Sequence, residues 1–251
     1  GFEYGHRLLA RLLGLVFALP LLWFWLRGAI PQRLRWPLLG ILFLGAAQAY
    51  MGWYMVKSGL VDIPRVSHYR LAAHLSLALL IYASMFVLAL RLLWPPAVNA
   101  QPIRRIYSVL IALLSCTIIL GAFVAGLRAG LIYNTFPLMG GHWLPPGMGA
   151  FTPWWLNALE NPVTVQFIHR YLALTTTAFV LFMWWKLRQI HLERTQKLAL
   201  NALVIMVLVQ ASLGISTLLL QVPVWLGTLH QGGAVLLLSS VLILGNRSRV
   251  Y

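Results

Sequence analysis

Long apolar runs separated by short polar stretches dominate the chain. A helix of about 20 apolar residues crosses a bilayer, and seven segments of this sequence reach that length. The predicted spans are 5–26, 36–56, 71–90, 106–127, 163–185, 198–220 and 224–244. The pattern therefore predicts an all-α integral membrane protein.

The composition and charge agree with a membrane location. The chain is 61% hydrophobic and 9% charged, whereas about a quarter of the residues in a soluble domain are charged. A net charge of +15 would also suit a nucleic-acid-binding protein. However, the basic residues lie in short clusters between the apolar runs, as the positive-inside rule expects. We therefore expect the lipid bilayer as a partner, and no nucleic acid.

The basic clusters also predict the orientation of the spans. They follow the first, third, fifth and last spans, so they lie on one side of the membrane, at Arg27, Arg33 and Arg35, at Arg91, Arg104 and Arg105, at Lys186, Arg188, Arg194 and Lys197, and at Arg247 and Arg249. That side is the cytoplasm of a bacterium, or the matrix if the protein is mitochondrial. The long outer segment 128–162 is rich in aromatic residues. We expect it to act as a lid, an interfacial anchor, or both.

Four histidines lie near the outer ends of four different spans: His6, His74, His169 and His230. The segment Gln48-Ala49-Tyr50-Met51-Gly52 resembles Gln210-Ala211-Ser212-Leu213-Gly214, and the histidines repeat with it. We therefore predict two pseudo-symmetric four-helix bundles in parallel repeat, one in residues 1–95 and the other in 103–251. Span 106–127 precedes the His169 helix, but no span precedes the His6 helix. The repeat thus predicts a first helix of the N-terminal half that is absent from this sequence.

Two imidazoles on facing helices of a bundle are well placed to ligate a haem iron from both sides. Copper and zinc also accept imidazole, but two ligands alone make a poor zinc site. Hydrogen-bonded packing is the remaining alternative. The single cysteine, Cys116, is predicted to be a small core residue. The other histidines lie between spans and are predicted to be solvated: His68, His142 and His191.

Arginine follows the first histidine of each half, as Arg7 and Arg170. Haem propionates are anionic and need cationic partners near the interface. Arg70, just before the third span, is a further candidate. The alternative for each of them is that the side chain extends to lipid headgroups.

The two halves differ at the position three residues before their first histidine. Glu3 occupies it in the first half and Gln166 in the second. A carboxyl group beside the site can exchange a proton or stabilise a developing cation, whereas an amide cannot exchange protons in this way. The first site is therefore predicted to be the catalytic one. A carboxylate favoured by the helix dipole is the alternative.

Motifs along nearly the whole chain resemble those of the haem A synthase family, in the class that lacks cysteine pairs in its outer loops. They are Glu3-Tyr4-Gly5-His6-Arg7, Met55-Val56-Lys57-Ser58-Gly59-Leu60, Tyr69-Arg70-Leu71-Ala72-Ala73-His74, Gly121-Ala122-Phe123-Val124-Ala125-Gly126-Leu127, Tyr133-Asn134-Thr135-Phe136-Pro137-Leu138-Met139, Phe167-Ile168-His169-Arg170 and His230-Gln231. The combination is specific, although each motif is short.

The resemblance implies a membrane oxidoreductase that oxidises a methyl group of haem O to the formyl group of haem A for cytochrome c oxidase. It implies a haem b cofactor between His169 and His230, and the substrate haem O near His6 and His74. Glu3 matches the essential carboxylate of the family. An external electron donor is implied, and haem O synthase is a candidate source of the substrate.

A di-haem b-type cytochrome that only transfers electrons is the alternative function. A relay across the bilayer needs haems near both faces, but all four histidines are predicted on the outer side. A transporter with packing histidines would show broken helices near the midplane, and these spans are mostly unbroken. The sequence leaves open the electron donor, the oxygen source and the choice between a single chain and a homo-oligomer.

Overall fold

The computed structural model describes residues 2–59, 67–95, 100–248 and 250; the side chains of residues 2, 3, 58 and 59 lie outside that description. Within these ranges the fold is all-helical. The α-helices are α1 (Phe2–Leu26), α2 (Gln32–Gly59), α3 (His68–Leu93), α4 (Arg104–Gly126), α5 (Asn157–Glu160), α6 (Pro162–Leu187), α7 (Arg194–Leu219) and α8 (Val224–Arg247).

Seven of these helices are long and apolar enough to span a membrane, which confirms the seven predicted spans. Most helices extend a few residues beyond the apolar segment, because polar and basic residues near the headgroups still fit a helix. Local signals place two of the starts. Asn161 caps α6 by accepting from the backbone N–H groups of Val163 and Thr164, and Pro162 occupies the first turn. Glu193 and Gln196 form a capping box at α7.

The main core lies between α4, α6, α7 and α8, around fully buried side chains such as Val180, Met183 and Leu203. Helix α3 packs against both α4 and α8, and so joins the first half of the chain to the second. One polar contact bridges this packing: Tyr82 Oη lies 2.6 Å from Ser239 Oγ. A smaller apolar cluster, containing Ala72, Phe123 and Val165, lies towards the outer end.

Helix α1 packs against α2 and leaves most of its apolar surface exposed, including Val16 and Leu26. An apolar surface of this kind suits lipid, which solvates it as well as a protein core does. The same reasoning corrects one prediction. Cys116, expected in the core, lies on an exposed face of α4. An apolar residue in a membrane helix need not be buried in protein.

On the inner side, the connection between the halves is held by polar contacts. The side chain of Gln196, which is fully buried, donates to the carbonyl of Gln101 and accepts from its N–H group, at 2.9 and 3.1 Å. Asn246 donates to the carbonyl of Trp94 at 2.8 Å. The guanidinium of Arg247 lies 3.8 Å from the centre of the Trp94 ring. These contacts fix the end of α3 to the end of α8, and the residue Gln101 to the start of α7.

Candidate functional site: two histidine pairs

The structure places the four predicted histidines at similar depth on α1, α3, α6 and α8. They lie four, six, seven and six residues after the first residue of their helices. The spread of three residues is about 5 Å along a helix axis. Within each half the two imidazoles are close enough to interact electrostatically, His6 with His74 and His169 with His230. The structure thus brings together the histidines of each predicted pair.

His169 is held by α4, the membrane-spanning helix that precedes its own. Its Nδ1 lies 3.1 Å from the carbonyl oxygen of Thr117. A carbonyl can only accept, so Nδ1 carries the proton and Nε2 is left as the basic nitrogen, which is the form that ligates a metal. One turn further along α4, a Cβ added at Gly121 would lie 3.1 Å from Cε1 of His169. The ring therefore rests directly on the glycine.

His230 is held by α7, but through the side-chain amide of a glutamine instead of a carbonyl. The amide Nε2 of Gln210 lies 3.2 Å from Nδ1 of His230, and it also donates to the backbone carbonyl of His230 at 2.9 Å. A Cβ added at Gly214 would lie 2.9 Å from Cε1 of the ring. Since real Cβ atoms essentially never approach so closely, the ring position requires a glycine here.

His74 repeats the arrangement in the first half. The amide Nε2 of Gln48 lies 3.3 Å from Nε2 of His74, and a Cβ added at Gly52 would lie 3.4 Å from Cε1. Its pair partner His6 lies on α1 and is exposed. His74, His169 and His230 are all half-buried.

Three of the four histidines thus meet the same pattern on the preceding helix, a polar group followed four residues later by glycine. The pairs are Gln48 and Gly52, Thr117 and Gly121, and Gln210 and Gly214. The sequence repeat pointed to two of these pairs but gave them no role, and the pair on α4 was missed. For the two glutamine pairs the signal is the four-residue spacing, which places both residues on one helix face. Thr117 acts through its backbone carbonyl and has no such signal.

The residues of these contacts fit a haem, which a pair of histidines would hold. Glycine under three of the four rings allows close helix approach, and the Thr117 carbonyl sets the ligating tautomer of His169. Buried polar atoms without a hydrogen-bond partner in the described structure cluster here: Oε1 of Gln48, Oε1 of Gln210 and Nδ1 of His74. Among the described residues, no group of three or more metal-binding side chains occurs. A haem site needs only two protein ligands, so it is compatible with this finding.

The long outer segment is fastened to α6 beside His169. Gln166, which is 2% exposed, donates to the carbonyl of Tyr133 at 3.0 Å. Arg170 donates to the carbonyl of Thr135 at 2.7 Å and also to that of Tyr133. The segment therefore lies against the helix end that carries His169. Its aromatic side chains are largely exposed, at Trp143, Trp154 and Trp155.

The remaining predicted site residues are placed as follows. The guanidinium of Arg70 lies 4.9 Å from the centre of the Tyr54 ring. Arg7 lies on α1, one residue after His6. Propionate binding by these arginines and by Arg170 stays a prediction. Glu3 belongs to α1, but its side chain lies outside the described residues.

One prediction about the outer side is wrong. His68 is 8% exposed, not solvated, and begins α3. Its ring lies 4.0 Å from the Tyr69 ring and 5.1 Å from the Phe123 ring, measured between ring centres. Its Nε2 lies 3.9 Å from Glu160, whose carboxylate also accepts from the Tyr69 hydroxyl at 2.6 Å. His142 and His191 are exposed, as predicted.

Comparison with known proteins assigns a family. Residues 2–242 match the model of a family described as cytochrome oxidase assembly protein. A haem A synthase of Nitrosospira multiformis is 48% identical over 253 aligned positions, which cover 99% of this chain and 71% of the relative. One of Nitrosomonas eutropha is 45% identical, covering 96% of the chain and 69% of the relative. One of Rhizobium meliloti is 48% identical, covering 94% and 65%.

These relatives are bacterial, and seven helices of this chain can cross a membrane. Both findings agree with the predicted location, a multi-pass protein of the bacterial inner membrane. The matches extend over both histidine pairs. The chain therefore belongs to the haem A synthase family of cytochrome oxidase assembly proteins.

Proposed function

We propose that this protein is a haem A synthase, which oxidises one methyl group of haem O to the formyl group of haem A. The observation that supports the proposal is a pattern of contacts that recurs around the histidines. In both halves a histidine ring rests on a glycine and meets a glutamine one turn away. Two similar sites side by side at one depth suit a macrocyclic cofactor next to a macrocyclic substrate.

In this proposal the second pair, His169 and His230, holds haem b, and the first pair, His6 and His74, holds haem O. When bound, haem b supplies one-electron transfer between an external donor and the first site. The Thr117 carbonyl keeps the Nδ1 proton on His169, so that Nε2 is free for ligation. Arg7, Arg70 and Arg170 are the proposed partners of the propionates.

The proposed reaction takes place at the methyl carbon of haem O in two oxidations. With dioxygen as the oxidant, each one converts a C–H bond into C–OH, takes up two electrons and two protons, and releases one water. The second product is a hydrated aldehyde, which loses another water to give the formyl group. Glu3 is the proposed proton-transfer group for these steps, because it is the carboxyl closest in sequence to His6.

Porphyrin analysis of full-length protein tests the proposal. The protein is expressed with a haem O synthase in a host that makes no haem A, and the extracted haems are identified by mass. We expect hydroxylated and formyl haems from the wild type, and haem b without these products from Glu3→Gln. If the wild type holds haem b but forms neither product, it is an electron-transferring cytochrome. Products unchanged in Glu3→Gln would remove this residue from the mechanism.

A further inference from the structure

Aromatic and basic side chains line the outer end of α2. The rings of Tyr50 and Tyr54 are nearly parallel, with 5° between their planes and 6.5 Å between their centres. The Trp53 ring lies 5.7 Å from that of Tyr50, and Nζ of Lys57 lies 4.9 Å from the centre of the Trp53 ring. We call these four residues the α2 stripe.

The rings of the α2 stripe are open to their surroundings. Tyr50 is 63% exposed, Trp53 54% and Tyr54 40%. Exposed aromatic faces can stack on other flat π-systems and can hold cations. Tyrosine and tryptophan are also common at membrane interfaces in general, where they act as anchors. A specific role therefore needs further support.

The second half of the chain supplies a comparison, because it has no such stripe. The repeat aligns Gln48 and Gly52 of α2 with Gln210 and Gly214 of α7. The counterparts of the four stripe residues are then Ser212, Ile215, Ser216 and Leu219. None of these has a ring or a charge. An anchor that every outer helix end requires would occur in both halves, whereas the stripe occurs only in the half proposed to exchange its haem.

The further helix that the repeat predicts for the first half is not expected to cover the α2 stripe. Its counterpart in the second half is α4. With α4 in place, Ser212 and Leu219 are still exposed on α7. The corresponding face of α2 should likewise remain open to the outer interface of the bilayer.

The α2 stripe adjoins the first histidine site. Gly52 belongs to the same stretch of α2, and a Cβ added there would lie 3.4 Å from the His74 ring. The guanidinium of Arg70, four residues before His74 on α3, lies 4.9 Å from the centre of the Tyr54 ring. The stripe thus reaches both helices that meet at His74.

The charges of this surface suit an anionic aromatic ligand. The predicted orientation places Lys57 and Arg70 on the outer side, where the positive-inside rule leaves few basic residues. A porphyrin with two propionates combines a flat π-system with two carboxylates. Aromatic faces beside two cations are complementary to both parts of such a molecule.

We propose that the α2 stripe is an entry surface, on which haem O arriving from the bilayer binds before it reaches the first site. The macrocycle lies against Tyr50 and Trp53, and the propionates point towards Lys57 and Arg70. The inference rests on the proposed function, since it assigns the place where the substrate of that reaction first binds. Residues that act only on entry affect how efficiently haem O is captured and leave the chemical step unchanged.

The test uses full-length protein loaded with haem b and reconstituted in liposomes, with haem O supplied from donor vesicles. Product formation is measured against haem O concentration for Tyr50→Leu, Trp53→Leu and Lys57→Gln. Leucine keeps an apolar side chain towards lipid but removes the aromatic face. Trp225→Leu is the matched control, because Trp225 is 60% exposed at the outer start of α8 in the second half. Haem b content is measured for every variant.

We expect each substitution in the α2 stripe to lower kcat/KM for haem O roughly twofold to fivefold, the usual size of a cation–π contact at an exposed position. The double variant of Tyr50→Leu and Trp53→Leu should lose about tenfold. The kcat at saturating haem O and the haem b content should stay at the wild-type values. Trp225→Leu should change none of the three quantities.

An equal fall of kcat/KM in Trp225→Leu would show general anchoring at the interface and would overturn the inference. A lower kcat at saturating haem O, or a loss of haem b, in the stripe variants would show a structural role and would overturn it as well. Unchanged kcat/KM in the double variant would exclude the entry surface while leaving the proposed function intact. A wild-type protein that forms neither hydroxylated nor formyl haem would instead refute the proposed function.

Discussion

Within the described residues, the second histidine pair has more contacts with neighbouring helices than the first. His169 and His230 each rest on a glycine of a neighbouring helix, and Gln166 and Arg170 fasten the outer segment beside them. In the first pair only His74 has such a helix contact in the described structure, while His6 is exposed on α1.

The two sites also differ in proposed role. A cofactor that stays bound is held more tightly when several helices fix its ligands. The entropy cost of ordering those side chains is then met during folding and not on binding. A substrate haem must enter, and its larger product must leave. The repeat predicts a further helix in the first half, so the contrast drawn here is one of proposed role, a retained cofactor against an exchanged substrate. The predictions below test this contrast.

The largest contrast is expected from removing one ligand of each pair. His169→Ala should abolish haem b binding, because its partner His230 alone cannot hold the iron from both faces. Formation of formyl haem should fall to background with it. His74→Ala is the matched control in the first site, and it should keep haem b while losing product formation. Haem content per protein, by pyridine haemochrome assay and mass, distinguishes the two. Equal loss of haem b in both variants would contradict separate sites.

Substitutions at Glu3 and at Gln166 should separate an effect on catalysis from an effect on stability. Glu3→Gln should lower product formation by roughly a hundredfold to ten-thousandfold, the usual contribution of a general acid or base, with little change in stability. Gln166→Glu should instead lower the stability of the protein. It removes the donor to the Tyr133 carbonyl and buries a carboxyl that is only 2% exposed as glutamine. We expect destabilisation of about 1–3 kcal/mol.

Thermal unfolding and product analysis on the same preparations check both changes. Gln166→Leu serves as a control for the lost hydrogen bond without a buried charge. If Gln166→Glu restored product formation to Glu3→Gln in the double variant, the two halves would be chemically interchangeable and the contrast between them would fail.

The glycines under the rings predict a smaller and graded effect. A Cβ at Gly214 would lie 2.9 Å from the His230 ring, but one at Gly52 would lie 3.4 Å from the His74 ring, an ordinary contact distance. Gly214→Ala must therefore displace its histidine, and we expect haem b retention to fall roughly tenfold. Gly52→Ala should leave the first site nearly unchanged. Haem loss rates measure both, and the reverse order would refute the geometry.

The sequence predicted what depends on hydropathy and spacing along one helix. All seven spans followed from the apolar runs, because the length needed to cross a bilayer is fixed. The pairing of histidines followed from the repeat. The sequence could not predict which helix face meets lipid and which meets protein, since both environments are apolar. Cys116, exposed on α4, shows this.

The sequence also could not predict which residues of different helices contact each other. Thr117 lies in an apolar run with no local sign that its carbonyl faces His169, 52 positions away. His68 looked like a loop residue because it lies just outside the apolar run, yet the α3 helix begins with it and packs it against Phe123. Such partners depend on which helices lie side by side, and a single sequence does not carry that information.

The smallest predicted effect concerns the link between the two sites. Glu160 belongs to the outer segment of the second half and accepts from the hydroxyl of Tyr69 on α3, at 2.6 Å. The carboxylate side chain is 38% exposed, so water weakens the bond, and we expect Glu160→Gln or Tyr69→Phe to cost about 1 kcal/mol. In a chain of this size that is roughly 2–4 °C in Tm.

A double-mutant cycle decides whether this hydrogen bond couples the two sites or is only a surface contact. If Glu160 and Tyr69 act through one bond, the double variant should be no less stable than the worse single variant. Product formation should fall slightly in all three, while haem b content stays constant, because the link touches the first half through α3 without contacting His169 or His230 in the described structure. Additive losses of stability would show two independent roles. A loss of haem b would mean that the second site depends on the first, and the contrast between a retained cofactor and an exchanged substrate at separate sites would have to be abandoned.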